Sequence, residues 1–213
     1  MVDRISNYLL DHFLYKGETV EGNERDVMLF GITRIVEDVP KYLFIVIVSL
    51  FFHVLPQVGV VMLITILYKV LIGGAHARTN IECFVFTSLY FFIPVIIGKY
   101  VNIPILYLYI VSAIIFLYSL YVIYKHVPAD TEEIPILNKE KRKHYKIYAI
   151  ISLILIYIPT IVLTQVSVEY ARLIFSTVFL IDFFTSNFMY KILRCKHSYE
   201  SDEFKEYFSE NKK

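Results

Sequence analysis

The chain has little of what defines a secreted or a nucleic-acid-binding domain. Tryptophan is absent and cysteine occurs only twice, as Cys83 and Cys195, among 213 residues. Two scattered cysteines exclude a secreted disulfide framework and a zinc knuckle. The net charge is only +1, so the composition predicts no nucleic acid partner. Neither an internal repeat nor a low-complexity tract occurs in the sequence.

Hydrophobic residues are what the chain has in excess. They make up 57% of it, against roughly 45–50% in an average soluble domain, and they are concentrated in long runs. Several runs approach the ~20 apolar residues that a membrane-spanning helix needs. We therefore predict an all-α fold, a polytopic membrane helical bundle of about six transmembrane helices. The predicted spans are Lys41–Leu55, Gln57–Gly73, Ile81–Gly98, Ile103–Tyr124, Ile147–Val166 and Ala171–Leu193.

The boundary between the first two spans is the least defined, because only Pro56 separates them and the first is short. A re-entrant or tightly turned pair would fit this stretch as well, provided that protein or water covers its irregular backbone.

Basic residues predict the orientation. If the N-terminus lies inside, all but Lys99 and Arg172 of the 21 Lys and Arg residues face the cytoplasm, as the positive-inside rule requires. We expect a multi-pass protein of the cell membrane with both termini cytoplasmic. A single integral-membrane domain is expected over 1–213. It divides into a cytoplasmic or interfacial arm at 1–40, a transmembrane bundle at 41–193 with a cytoplasmic loop at 125–146, and a cytoplasmic tail at 194–213.

The N-terminal arm is expected to be an amphipathic helix. Two placements fit it: on the inner leaflet of the membrane, or packed on the cytoplasmic ends of the bundle. The first forty residues are polar and mixed in charge, so we expect no cleavable signal peptide. The apolar positions that recur at helical spacing are Met28, Ile32, Ile35, Val36 and Val39.

One polar stretch interrupts the apolar runs. It reads LIGGAHARTNIECFVF, from residue 71 to residue 86. Thr79 followed three residues later by Glu82 is a capping box, which predicts that the third span begins at Asn80. Cys83 then lies in the first turn of that helix, where backbone N–H groups and the helix dipole favour an anion such as a thiolate.

His76 is the candidate base for Cys83. In a continuous helix their Cα atoms would lie ~10.5 Å apart along the axis, too far for the hydrogen bond of about 2.6–3.2 Å between a base and its nucleophile. Gly73 and Gly74 supply a break, because glycine accepts backbone conformations that other residues avoid. The turn could then bring the imidazole over the thiol, with Arg78 as a second cation nearby. In a symmetric dimer, the histidine of one chain could instead reach the cysteine of the other.

Other interpretations of the stretch stay open. A buried cysteine usually behaves as a small hydrophobic residue, and an interfacial histidine is often a solvated polar tip. A metal site at His76 and Cys83 with another histidine lacks four ligands on one face, so neither a metal nor another cofactor is predicted. A multi-pass transporter or peptide exporter without catalytic activity would also explain six spans, but it has no need of Cys83 at a capped helix start.

The stretch GGAHARTNIEC resembles the signature of the accessory gene regulator B family, bacterial membrane endopeptidases that process quorum-sensing propeptides. The resemblance extends to chain length, the amphipathic N-terminal region and the basic loop. It implies a cysteine endopeptidase of the bacterial cell membrane with His76 and Cys83 as the catalytic pair. It implies an AgrD-like propeptide as partner, with an amphipathic leader, a central segment containing cysteine or serine, and an acidic tail. The family enzyme cuts before the tail, holds the rest as a thioester, and yields a cyclic thiolactone or lactone.

Further residues are candidates for supporting roles. Asn80 or Glu82 is a candidate to orient His76. Asp182, deep in the sixth predicted span, is a further candidate for such a role, because a carboxylate inside the membrane is often functional. A hydrogen bond between helices, from Asp182 to a tyrosine or serine, would explain this residue equally well. The supporting residues that we single out around the motif are Lys69, Gly73, Gly74, Arg78, Thr79, Asn80 and Glu82.

A basic cluster, NKEKRKHYK, covers residues 138–146. It either attracts anionic lipid at the inner face or docks the acidic tail of the propeptide. Membrane lipids and a second copy of the chain are further expected partners, the latter by analogy and because twofold assemblies prevail. The residues predicted to bind the tail are Lys139, Lys141, Arg142 and Lys143.

Overall fold

The computed structural model describes residues 2–14, 23–75, 77, 79–130 and 136–198. Within these residues every regular element is a helix, and an isolated β-bridge joins Gly73 to Ala129. The all-α fold expected from the sequence is confirmed for this part of the chain. The chain divides into two compact units, Met1–His53 and Val54–Lys213.

The first unit is built from helices that charged side chains tie together. Arg25 donates a hydrogen bond to Asn7 at 3.2 Å and forms an ion pair with Asp11 at 3.2 Å. Residues 23–40 of the predicted arm, which include its five recurring apolar positions, and most of the first predicted span fall on one continuous helix, which passes through Pro40. The placement of this helix at a membrane surface stays a prediction. The described elements of this unit are α1 (Val2–Leu9), a short π-helical turn (Leu10–Leu14) and α2 (Asn23–Phe51).

The second unit contains the helices that can cross a membrane. Four described helices, α3 to α6, are long and apolar enough to do so. The elements of this unit, in order, are α3 (Leu55–Ile72), α4 (Asn80–Tyr100), α5 (Ile105–His126), α6 (Lys139–Leu163), α7 (Val168–Thr185) and α8 (Asn187–Ile192).

The predicted count of about six spans is not confirmed. The first predicted span lies mostly on the second half of α2, where charged residues precede a short apolar run. The sixth predicted span falls on α7 and α8. Charged residues are costly where a helix faces lipid, and both α2 and α7 carry several of them. The charged residues concerned are Arg34, Glu37, Asp38 and Lys41 in α2, and Glu169, Arg172 and Asp182 in α7.

Helix α7 lies at the centre of the second unit, where it contacts α3, α4, α5 and α6. Every side chain from Ala171 to Val178 is buried. Asp182 is fully buried and accepts hydrogen bonds from the hydroxyls of Ser119 and Tyr68. A helix enclosed by its neighbours can satisfy polar groups inside the protein, and so it need not be apolar all round.

A π-helical turn, Thr65–Lys69, interrupts α3. Such a turn disturbs the regular backbone ladder and is frequent at functional sites. Ser152 on α6 donates to the Leu67 carbonyl at 2.7 Å, and Thr65 shares a hydrogen bond of 2.7 Å with the Tyr90 hydroxyl on α4. The turn is therefore held by side chains from two neighbouring helices.

Successive helices of the second unit run in opposite directions, so that α3, α5 and α7 end where α4 and α6 begin, and the unit has two distinct ends. At one end the chain after α3 meets the chain after α5, and Gly74 donates its N–H to the Ala129 carbonyl at 3.0 Å. At the opposite end Gln57 on α3 donates to the Glu169 carboxylate on α7 at 3.0 Å. We call the first of these the motif end. Its cytoplasmic location stays a prediction.

The basic stretch 138–146 is almost entirely helical, whereas the sequence suggested a loop. Helix α5 continues to His126, and α6 already begins at Lys139. The Asn138 side chain caps α6 by accepting the N–H groups of Glu140 at 2.9 Å and Lys141 at 3.1 Å. The basic residues therefore lie on the first turns of α6, at the motif end.

The chain after α8 packs on the motif end through His197. Its ring stacks on Tyr190 with 3.7 Å between the ring centroids, and its Nε2 hydrogen-bonds to the Asn187 amide oxygen at 2.8 Å. Burial lowers the pKa of His197; the neighbouring Asp130 carboxylate raises this pKa and the Arg142 guanidinium lowers it.

Acidification is expected to destabilise the protein through His197. The pKa of His197 is lower in the folded protein than the ~6.5 of the unfolded chain. The free energy of unfolding is therefore unaffected by this histidine above about pH 7, and it decreases as the pH falls below about 6.5, where only the unfolded chain binds the proton. The decline for one histidine is at most ~1.4 kcal/mol per pH unit. Thermal unfolding in detergent between pH 7.5 and 5 should depend on pH less in His197→Gln than in His144→Gln, which replaces an exposed histidine. Equal pH dependence in both variants would contradict this assignment.

Candidate active site

Cys83 lies in the first turn of α4, as the capping box predicts. Thr79 is the N-cap: its hydroxyl accepts the N–H of Glu82 at 3.2 Å, and its carbonyl accepts the N–H of Cys83 at 2.9 Å. The predicted helix start at Asn80 is confirmed. Cys83 is half-buried and not disulfide-bonded, and its sulfur lies 4.0 Å from the Thr87 hydroxyl oxygen. The thiol is thus partly accessible, at the positive end of the helix dipole.

The double glycine ends α3, also as predicted. Gly73 has φ +83° and Gly74 has φ +144°, a range that L-residues with a side chain rarely adopt. A Cβ atom on Gly73 would lie 2.5 Å from the carbonyl oxygen of Ala129. Both the backbone conformation and the contact with Ala129 therefore require glycine at position 73.

His76 and Arg78 lie outside the described residues. Their neighbour Ala75 is described, and its N–H donates to the Phe184 carbonyl at the end of α7 at 3.2 Å. The chain is therefore fixed directly before His76 and again at the Thr79 cap. The pairing of His76 with Cys83, within one chain or across a dimer, stays a prediction.

Lys69 lies in the π-helical turn of α3 and points at aromatic rings. Its ammonium lies 4.7 Å from the ring centroid of Tyr90 and 5.9 Å from that of Phe184, distances at which a cation is attracted to an aromatic face. Tyr90 follows Cys83 by seven residues and so lies about two turns away on the same face of α4. The sequence identified Lys69 only as a basic position, and nothing in it indicated these rings.

The remaining supporting residues differ in their surroundings. Asn80 and Glu82 are exposed in the first turn of α4. Asp182 accepts hydrogen bonds from Tyr68 of α3 and Ser119 of α5. These are the bonds between helices that the sequence offered as the alternative to a catalytic role. Among the described residues, no group of three His, Cys, Asp or Glu could hold a metal ion.

The four residues predicted to dock the propeptide tail separate into two kinds. Lys139, Lys141 and Lys143 are exposed on α6. Arg142 instead forms an ion pair of 2.7 Å with Asp130, and the two side chains are only 20% and 4% exposed. The Arg142 charge is therefore engaged inside the protein, whereas the side chains of the three lysines are exposed to solvent.

Comparisons with known proteins bear on the same stretch of chain. Neither a comparison with curated proteins nor one with solved structures gives a significant match. A family model, Accessory gene regulator B, matches residues 2–186, which include α3 to α7 and the whole of GGAHARTNIEC. The chain therefore belongs to the accessory gene regulator B family, membrane proteins of the agr quorum-sensing system that are associated with peptidase activity on the AgrD propeptide.

Proposed function

We propose that this protein is a membrane-embedded cysteine endopeptidase that removes the C-terminal tail of a quorum-sensing propeptide and keeps the remainder as a thioester for cyclisation. The observation that carries the proposal is the half-buried Cys83 at the capped start of α4, in a family associated with peptidase activity on AgrD. A transporter or exporter has no need of a thiol at this position.

We assign His76 as the general base of the first step. It takes the proton of the Cys83 thiol, and the sulfur forms a bond to the carbonyl carbon of the scissile peptide. The carbonyl electron pair moves to oxygen, and we assign the amides of Asn80 and Ile81, in the first turn of α4, as donors to this oxyanion. When the carbonyl re-forms, the C–N bond breaks, and the proton on His76 passes to the amine of the departing tail.

The thioester on Cys83 supports the second step. The thiol or hydroxyl of the propeptide's own cysteine or serine loses its proton to His76 and attacks the same carbonyl carbon. The bond to the Cys83 sulfur breaks, and the thiolate recovers the proton from His76. The product is a cyclic thiolactone or lactone, and the enzyme returns to its starting state.

The exposed lysines of α6 are our candidate dock for the acidic tail. Converting Lys139, Lys141 and Lys143 together to glutamine should raise the KM for the propeptide and leave kcat nearly unchanged. Exposed ion pairs contribute about 0.2–1 kcal/mol each, so the expected rise for three lysines is roughly 3- to 160-fold, and it should be larger at low salt.

The control for this triple variant is Lys99→Gln, a basic residue of α4 at the end opposite the motif. It should leave KM unchanged. If the triple variant matches this control at both low and high salt, the lysines do not dock the tail and serve the attraction of anionic lipid.

The proposed function is tested by incubating the purified protein in lipid vesicles with the propeptide of its own system. We expect release of the C-terminal tail, detected as a separate peptide by mass spectrometry. Full-length propeptide that binds the vesicles through the protein but stays uncut would contradict the proposal and favour a transport function.

A further inference from the structure

The turn that precedes His76 rests on the segment 127–130, which joins α5 to the chain leading to α6. Ala129 donates its N–H to the Ile72 carbonyl at 2.8 Å, and its own carbonyl accepts the N–H of Gly74 at 3.0 Å. These bonds form the bridge between Gly73 and Ala129. Because Ala129 is only 3% exposed, the contact is buried, and the path of the glycine turn depends on where the segment 127–130 lies.

The segment 127–130 is itself held by one ion pair. The Arg142 guanidinium contacts the Asp130 carboxylate at 2.7 Å. It also donates to the Pro128 carbonyl at 3.4 Å and to the Ile136 carbonyl at 3.2 Å. Asp130 in turn accepts the N–H of Ile136 at 2.8 Å. Charge-assisted hydrogen bonds of this kind fix geometry more strongly than neutral ones.

Tyr190 on α8 contacts the same segment. Its hydroxyl, on a residue that is 2% exposed, lies 2.9 Å from the Ala129 carbonyl and 3.4 Å from the Asp130 carbonyl. The Ala129 carbonyl therefore accepts two hydrogen bonds, from the Tyr190 hydroxyl and from the Gly74 N–H. The contacts form a continuous path from the first turns of α6 to the residues directly before His76.

We propose that Asp130 and Arg142 are a positioning pair for the reaction. By fixing the segment 127–130 they fix the backbone of residues 73–75. This backbone in turn determines the position of the next residue, the base His76. This inference rests on the proposed function, in which His76 must approach Cys83 to hydrogen-bond distance. A displacement of about 1 Å from such a geometry costs roughly 100-fold in rate.

The pair is tested through kcat and KM separately. Arg142→Gln and Asp130→Asn are each expected to lower the kcat of propeptide cleavage roughly 10- to 100-fold, with KM within about twofold of wild type. Because both variants break one interaction, the double variant should be no slower than the slower single variant. Arg142→Lys keeps the charge and should recover most of the rate.

A matched control removes a basic residue of α5 from the same end. Lys125 is exposed and bonds to the Tyr121 hydroxyl at 2.9 Å, so Lys125→Gln should leave kcat unchanged. If Arg142→Gln raises KM and leaves kcat unchanged, Arg142 binds the propeptide and the positioning role is overturned.

A second readout needs no propeptide. In a Cys195→Ala background, the alkylation rate of Cys83 by iodoacetamide at pH 7 reports how much thiolate the base produces. Arg142→Gln should lower this rate toward that of His76→Ala, whereas Lys125→Gln should not. If the alkylation rate falls in His76→Ala but not in Arg142→Gln, the positioning role of Asp130 and Arg142 is overturned, while His76 stays the base of Cys83.

The alkylation experiment also separates the two hypotheses. If wild type cleaves no propeptide, the proposed function fails, but the alkylation rates still decide whether the pair positions the base. Should Arg142→Gln fail to fold, Asp130→Asn, which keeps the shape of the side chain, takes its place. An alkylation rate of Asp130→Asn equal to that of Lys125→Gln then overturns the inference.

Discussion

Cys83→Ala and His76→Ala are each expected to lower the rate of propeptide cleavage by a factor on the order of 10⁴ to 10⁶, and the double variant is expected to be no slower. A nucleophile and its base act as one unit, so removing either removes nearly all of the benefit of both. Single-turnover release of the tail, with enzyme in excess over propeptide, measures this rate directly.

Cys195→Ala is the control for this prediction, because it removes the other cysteine, which lies after α8. Its cleavage rate should equal that of wild type. Two results would contradict the catalytic pair: a His76→Ala variant that cleaves at close to the wild-type rate, or a double variant whose loss is the product of the two single losses.

Gly73→Ala is expected to reduce cleavage at least about 100-fold and to lower the melting temperature. The added Cβ would lie 2.5 Å from the Ala129 carbonyl oxygen, at a residue with φ +83°. The turn, the segment 127–130, or both must move. Either movement changes the path of the chain directly before His76. The measurement is the cleavage rate of the folded protein together with its thermal unfolding.

Gly59→Ala provides the comparison. Gly59 lies inside α3, and a Cβ there would meet nothing within 4 Å. Alanine is favoured over glycine in a helix interior by about 1 kcal/mol, so this variant should be at least as stable as wild type and equally active. If Gly73→Ala behaves like Gly59→Ala, the turn tolerates a side chain and does not set the geometry of the site.

The local structure of the motif was predictable from the sequence because short-range rules determine it. A threonine three residues before a glutamate predicted the N-cap at Thr79, and the structure places α4 at Asn80–Tyr100. Two adjacent glycines predicted the break after α3, and Gly73 has the positive φ that such a break requires. Both rules depend on residues within four positions of each other.

The number of spans was less predictable, because hydropathy does not show what a helix contacts. Helix α7 carries Arg172 and Asp182 in the middle of its neighbours. Its long apolar run predicts a sixth span. The structure does not confirm that count: four described helices are long and apolar enough to cross a membrane. A charged side chain within an apolar helix costs less free energy when other parts of the protein surround it than when lipid does.

The surroundings of the site could not be predicted, because they depend on contacts between distant parts of the chain. Asp130 lies 12 residues before Arg142, and 131–135 between them are outside the described residues. In the sequence Arg142 is one of several adjacent basic residues. Its burial against Asp130, which sets it apart from the exposed Lys139, Lys141 and Lys143, becomes visible only once the fold is known. The contact of Lys69 with Phe184 likewise joins residues that no local pattern relates.

The central claim is that Cys83 becomes acylated by the propeptide. Intact-mass spectrometry of the protein in lipid after incubation with its propeptide tests it, alongside Cys83→Ala and Cys195→Ala. The account predicts an added mass equal to the propeptide without its tail, removable by hydroxylamine, in wild type and Cys195→Ala and not in Cys83→Ala. An adduct that persists in Cys83→Ala would contradict it. Ring closure can be blocked by changing the propeptide's own cysteine or serine to alanine, and cleavage of that propeptide without any adduct on Cys83 would contradict the claim as well.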